Sequence, residues 1–102
     1  MKDIEVNELK ERLDNNEEFV FIDVREEYEY EDDNLGAWNI PLAQLPYKLK
    51  ELESHIDEEI VIHCRTGARS GNAKQFLENK GFKKVRNVLG GIVAYRNLEE
   101  EE

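Results

Sequence analysis

Cysteine is nearly absent from this chain: Cys64 is the only one in 102 residues. One cysteine excludes an internal disulfide, and with it the stapled scaffold of small secreted domains. Histidine is almost as scarce, and two scattered residues, His55 and His63, with one cysteine offer no metal-ligand spacing. No apolar run is long enough to cross a bilayer, and the amino terminus lacks a leader-like pattern, so a cytoplasmic protein without a membrane partner is expected. Basic residues are outnumbered, 14 against 24 acidic, for a net charge of −10. That balance argues against general nucleic-acid binding, which needs a basic surface. The length suits one compact domain.

The charge is unevenly spread. Residues 1–59 hold 19 acidic and 6 basic side chains, whereas residues 60–102 hold 5 and 8. Four of those last five acids are Glu99 to Glu102, expected to form a disordered tail beyond a domain spanning residues 1–98. The segment around Cys64 is therefore locally basic within an acidic protein.

Strand-like and helix-like stretches alternate. Ile4 and Val6 read as a short strand, with Asn7 capping a helix that puts Leu9 and Leu13 on one side. Phe19-Val20-Phe21-Ile22 is an unbroken apolar run ending in Asp23, as in a strand covered on both faces. Arg25 to Glu31 suits a helix with Tyr28 turned inward, Trp38 to Ile40 a short strand, and Leu42 to Leu52 an irregular helix around Pro46. Ile60-Val61-Ile62 is a second buried-strand pattern and delivers His63 and Cys64 at its carboxyl end. Ala73, Phe76 and Leu77 mark an amphipathic helix that Gly81 ends, Val85 and Val88 a last strand, and Ile92 to Leu98 a last helix after Gly90-Gly91. Such alternation predicts an α/β fold: an open, mostly parallel sheet with helices on both faces. Ligands bind beyond the carboxyl ends of such strands, where Cys64 and Asp23 lie.

The segment His63-Cys64-Arg65-Thr66-Gly67-Ala68-Arg69-Ser70 carries the chemistry. A helix starting near Ser70 forces the preceding residues into a tight turn, and Gly67 can take angles that a side chain forbids. Converging amides, a helix amino end and two arginines lower a thiol pKa from about 8.5 into roughly 3.5–7.5. The product is a nucleophile that needs no separate base. His63, by contrast, reads as a hydrogen-bonded structural residue. Cysteine-dependent phosphatases place an arginine six residues after the cysteine. Here Arg69 is five residues after Cys64, so the ring is narrower and suits one sulfur atom better than a whole phosphate.

Four segments in order resemble the single-domain rhodaneses, a family of sulfurtransferases. They are Phe21-Ile22-Asp23-Val24-Arg25-Glu26 followed by Tyr28, Gly36-Ala37-Trp38-Asn39-Ile40-Pro41-Leu42, the Cys64–Ser70 segment, and Val88-Leu89-Gly90-Gly91-Ile92. The resemblance implies a three-layer α/β/α sandwich around a five-stranded sheet and a persulfide carried on Cys64, with no cofactor. Sulfur would come from a donor such as thiosulfate and pass to cyanide, a thiol or a protein. By position, the Arg65, Thr66, Gly67, Ala68 and Arg69 amides would stabilise the sulfur, and Arg65 and Arg69 would attract the anionic donor. Asp23 and Arg25 are expected as a supporting ion pair, with Ser70 beside them near the site. The rival readings are a phosphatase or arsenate reductase using the same thiolate, and a non-catalytic binding module of the same fold.

Overall fold

The computed structural model describes residues 1–101. Its centre is a four-stranded, wholly parallel sheet in the order β2-β1-β3-β4, with β1 Val20–Asp23, β2 Trp38–Asn39, β3 Ile60–His63 and β4 Val85–Asn87. The alternation of apolar strands with helical segments thus produces the parallel sheet expected of it. The register aligns Asp23 with both His63 and Asn39, and Ile62 with Asn87, so four polar residues gather at the carboxyl edge.

Among the described residues, five α-helices surround the sheet: α1 Val6–Asp14, α2 Glu27–Asp32, α3 Leu49–Leu52, α4 Ala68–Asn79 and α5 Gly91–Glu101. Successive β3 side chains show how both faces are covered. Ile60 and Ile62 enter a core with Leu45, Leu52, Ala73 and Leu77, from the segment around α3 and from α4. Val61 enters the opposite core, with Leu9 of α1 and Tyr95 of α5. A strand buried on both sides needs no polar alternation, which is why Ile60-Val61-Ile62 is apolar throughout. Pro46 lies in a 3₁₀ stretch, Leu42–Lys48, that runs into α3.

Several expectations are corrected. The sheet has four strands, not five, because α1 begins at Val6 and leaves one residue to pair: Ile4 forms a single parallel bridge with Val88. Its N–H donates to the Asn87 carbonyl at 3.0 Å, and its carbonyl accepts from Leu89 N–H at 2.9 Å. Asn7 lies inside α1, and the capping position falls on Glu5, which makes no side-chain cap. Tyr28 is 72% exposed. Tyr30 turns inward instead, its hydroxyl donating to the Ala37 carbonyl at 2.6 Å. Helix α5 continues past Leu98 to Glu101, where a disordered tail was expected, and Arg96 bonds Glu99 within it at 2.7 Å. Glu102 lies outside the described residues.

Candidate active site

Strand β3 ends at His63, and Cys64 follows it with 1% exposure. Three donors meet its sulfur: Gly67 N–H at 3.1 Å, Ser70 N–H at 3.4 Å and the Ser70 hydroxyl at 3.2 Å. This convergence arises because α4 starts at Ala68, two residues earlier than the sequence indicates. Gly67 occupies the capping position with φ of 112°, a left-handed angle that only glycine adopts without strain. The turn therefore spans Arg65, Thr66 and Gly67, and Ser70 sits in the first turn of the helix. Arg65, Ala68 and Arg69 make no hydrogen bond to the sulfur.

Burial is the largest single influence on Cys64 and opposes ionisation. The hydrogen bonds from the Ser70 hydroxyl and from the Ser70 and Gly67 amides, helped by the nearby Thr66 amide, together outweigh it, holding the thiol below its ordinary value. The arrangement is a thiolate cradle made largely of backbone.

The arginines divide. Arg69 is held by Glu29 of α2 in a two-pronged pair, 2.7 and 3.0 Å, and that hydrogen-bonded guanidinium holds the Glu29 carboxyl down at about 2. Much of its charge is thus answered by an acid 40 residues away. The Arg65 side chain is exposed and, among the described residues, has no hydrogen bond or ion pair. It lines a surface cavity beside the loop with Arg25, Tyr28, Glu29 and Val93.

Asp23 and Arg25 form a buried pair. Arg25 Nη2 lies 2.9 Å from Asp23 Oδ2, Nε is 3.1 Å from both carboxylate oxygens, and the Arg25 amide donates to Asp23 Oδ1 at 2.9 Å. Arg25 Nη2 also donates to the Asp33 carbonyl, which ties α2 to the strand end. Neither side chain bonds Cys64. His63 is fully buried, with Nδ1 3.2 Å from the Cys64 carbonyl and Nε2 facing Asp23 Oδ2 at 3.5 Å without a hydrogen bond. Burial lowers its pKa, outweighing the nearby Asp23 carboxylate, and so favours the neutral ring.

Helix α5 closes the back of the loop. Ile92 N–H donates to the Cys64 carbonyl at 3.0 Å and Val93 N–H to the Arg65 carbonyl at 3.1 Å. A helix amino end has amides to spare, and here they hold the two carbonyls that begin the turn. No group of three or more His, Cys, Asp or Glu able to hold a metal occurs among the described residues.

The model of the rhodanese-like domain matches residues 5–98. The chain belongs to the rhodanese-like family. A Bacillus subtilis relative provisionally named sulfurtransferase YtwF is 38% identical over 96 residues, covering 93% of this chain and 90% of that protein. The rhodanese-like domain protein of Staphylococcus aureus superposes with a TM-score of 0.83 at 31% identity, covering 93% of this chain and 91% of its own. The human single-domain sulfurtransferase TSTD1 superposes at 0.74 with 28% identity, covering 98% and 96%. The tRNA uridine(34) hydroxylase of Cronobacter sakazakii is 36% identical over 107 residues, but the chain spans only 30% of its length.

Two site residues went unnoticed in the rhodanese-like sequence. Glu29 is one acid in an acid-rich helix and carries no distinguishing signal. Asn87 ends β4, Val85-Arg86-Asn87, shortly before Gly90-Gly91, and its burial appears only in the structure.

Proposed function

We propose that this rhodanese-like domain transfers sulfane sulfur through a persulfide on Cys64. The observation that carries the reading is the convergence of Gly67 N–H, Ser70 N–H and the Ser70 hydroxyl on one buried sulfur. The thiolate attacks the outer sulfur of an anionic donor such as thiosulfate. The donor's S–S bond breaks, its electron pair leaves with sulfite, and Cys64 keeps the sulfur as a persulfide. A thiophilic acceptor, either cyanide, a thiol or a protein thiol, then attacks the outer sulfur and returns the electron pair to Sγ. Because Cys64 is 1% exposed, a donor must present a protruding atom, which a sulfane sulfur does. The relative named sulfurtransferase, matching along nearly the whole chain, supports the same reading. The hydroxylase name belongs to proteins of which this chain covers a minor part, and nothing at the site calls for it. Intact mass after incubation with thiosulfate tests the proposal: one added sulfur atom is expected, and cyanide should remove it as thiocyanate.

The donor's route depends on charge. Thiosulfate is a dianion approaching a protein of net charge −10, so a local cation must offset the overall field. Arg65 has no acidic partner among the described residues, so Arg65→Ala should raise the apparent thiosulfate KM by about fivefold. Arg69→Ala should raise it less, and Glu29→Gln should lower it by releasing Arg69. The reaction with a small neutral acceptor should change little. Initial rates against ionic strength check this, because added salt should shrink the Arg65 effect first. Equal KM values in all three variants would show that the backbone amides capture the donor alone.

Ring size distinguishes this reading from phosphoester hydrolysis. With Ser70, not arginine, at the sixth position after Cys64, the donors converge on the cysteine sulfur itself. Aryl phosphates should be hydrolysed negligibly, and inserting one residue between Cys64 and Arg69 should weaken sulfur transfer. Brisk phosphatase turnover by the unaltered chain would overturn the size argument.

A further inference from the structure

Ser70 has one hydroxyl proton and three acceptors within reach. Its Oγ lies 2.6 Å from Asn87 Oδ1, 3.2 Å from Cys64 Sγ and 3.3 Å from the Gly67 carbonyl. Asn87 cannot turn its amide around, because Nδ2 donates to the Gly67 carbonyl at 3.1 Å and an oxygen in its place would have no donor there. Its carbonyl must therefore face Ser70. Behind it, the Asn87 N–H donates to Asp3 Oδ1 at 3.0 Å, and Asp3 is paired with Lys74 at 2.6 Å, so the strand end is held from both sides.

We propose that Asn87 is a positioning residue of this site, whose side-chain carbonyl competes with the Cys64 sulfur for the Ser70 proton. When Sγ is a thiol or the inner atom of a persulfide, it draws hydrogen bonds weakly, and the hydroxyl donates to Asn87. When Sγ carries the full negative charge, the hydroxyl turns to it and Asn87 loses its donor. No proton leaves Ser70 in either state; only the direction of its hydrogen bond changes. As the acceptor breaks the persulfide S–S bond and electrons return to Sγ, the hydroxyl swings toward the departing thiolate. Without Asn87 only the Gly67 carbonyl, at 3.3 Å, would compete with the sulfur for the hydroxyl proton, so the sulfur would hold it more of the time, making the thiolate more stable and a poorer nucleophile.

The inference deepens the sulfur-transfer reading, but iodoacetamide alkylation of Cys64 tests it without any sulfur donor, so the two can fail separately. Charged and titratable groups lie near the pair on several elements: His63 on the Cys64 carbonyl, Arg69 with Glu29, Arg65 in the turn, and Asp3 with Lys74 on the Asn87 amide. A double-mutant cycle leaves all of them in place. Asn87→Ala should move the alkylation midpoint down by about one pH unit, because the hydroxyl then loses its nearest competing acceptor and serves the thiolate more fully. The high-pH plateau rate should fall at the same time. Both effects should vanish when Ser70→Ala is the background. Asn87→Asp, a stronger acceptor of the same size, should raise the midpoint, and raise it more in the parent than in the Ser70→Ala background. It decides the matter alone if Asn87→Ala does not fold. Shifts of equal size in the parent and Ser70→Ala backgrounds, or no shift, would reduce Asn87 to a loop anchor and overturn the proposal.

Discussion

Replacing Cys64 by serine is expected to abolish sulfur transfer, leaving thiosulfate:cyanide turnover at the level of the uncatalysed reaction. The substitution changes one buried atom for a slightly smaller one, so the fold should survive. What is lost is ionisation: the hydrogen bonds of this cradle hold the thiol below its ordinary value and favour the thiolate, whereas a hydroxyl in the same place keeps its proton. The loss should approach the whole catalytic effect, because no other cysteine in the chain can carry the sulfur. Mass spectrometry after thiosulfate treatment should show no added sulfur in Cys64→Ser and one atom in the parent. In the parent, the rate of Cys64 alkylation should rise with pH through a midpoint below that of an ordinary thiol, the direction that the Ser70 and Gly67 hydrogen bonds and the nearby Thr66 amide impose against burial. A serine variant that turns over as fast as the parent would remove the persulfide from the mechanism.

The second large effect is expected at Gly91, which touches no substrate. A Cβ at this position would lie 2.4 Å from the Arg65 carbonyl oxygen and 2.6 Å from that of Cys64, with φ at +59°. Both obstructing groups are backbone, so no side chain can swing aside. Gly91→Ala should cost about 2–5 kcal/mol through strain and overpacking, a large part of the roughly 5–15 kcal/mol that holds a small domain together. Urea denaturation should show a lowered midpoint. Whatever folds should transfer sulfur poorly, because the carbonyls that start the turn must move. Gly36→Ala separates the two causes. Gly36 also has a positive φ, +83°, but nothing lies within 4 Å of the added carbon. It should lose only the backbone strain, about 1 kcal/mol, and keep its activity. Similar losses at both positions would mean that close packing of α5 on the loop is unimportant.

These two predictions meet in the way the loop is built. Its amides point at the sulfur from one side while α5 holds its carbonyls from the other, so each peptide unit between Cys64 and Gly67 is used at one end or both. That is why Gly90 and Gly91 follow a strand end and precede a helix. A Cβ on Gly90 would meet the Ala94 Cβ at 2.5 Å, and one on Gly91 would meet the turn itself. The glycines permit a close approach, and that approach keeps the thiolate cradle in shape.

The sequence alone determined the features that depend on neighbours along the chain. Unbroken apolar runs at 60–62 and 19–22 specify parallel strands buried on both faces, since any exposed face would require polar alternation. Cys64 at the end of one run, with Gly67 three residues on and Ser70 six, specifies a turn into a helix with donors facing the sulfur. The short-range Asp23–Arg25 pair is legible for the same reason. Tertiary structure decided whatever depends on residues distant in sequence. Glu29 lies 40 positions from Arg69, and nothing local shows that α2 brings a carboxylate to Arg69 and leaves Arg65 without an acidic partner among the described residues. Asn87 lies 17 positions from Ser70, and only the β3–β4 register brings its amide to the hydroxyl. The missing fifth strand has the same origin. The β propensity of Ile4 and Val6 is real, but pairing beyond Ile4 gave way to α1, whose Leu9 is fully buried against the sheet. Local pattern sets what each segment can become, and burial against distant partners selects among those outcomes.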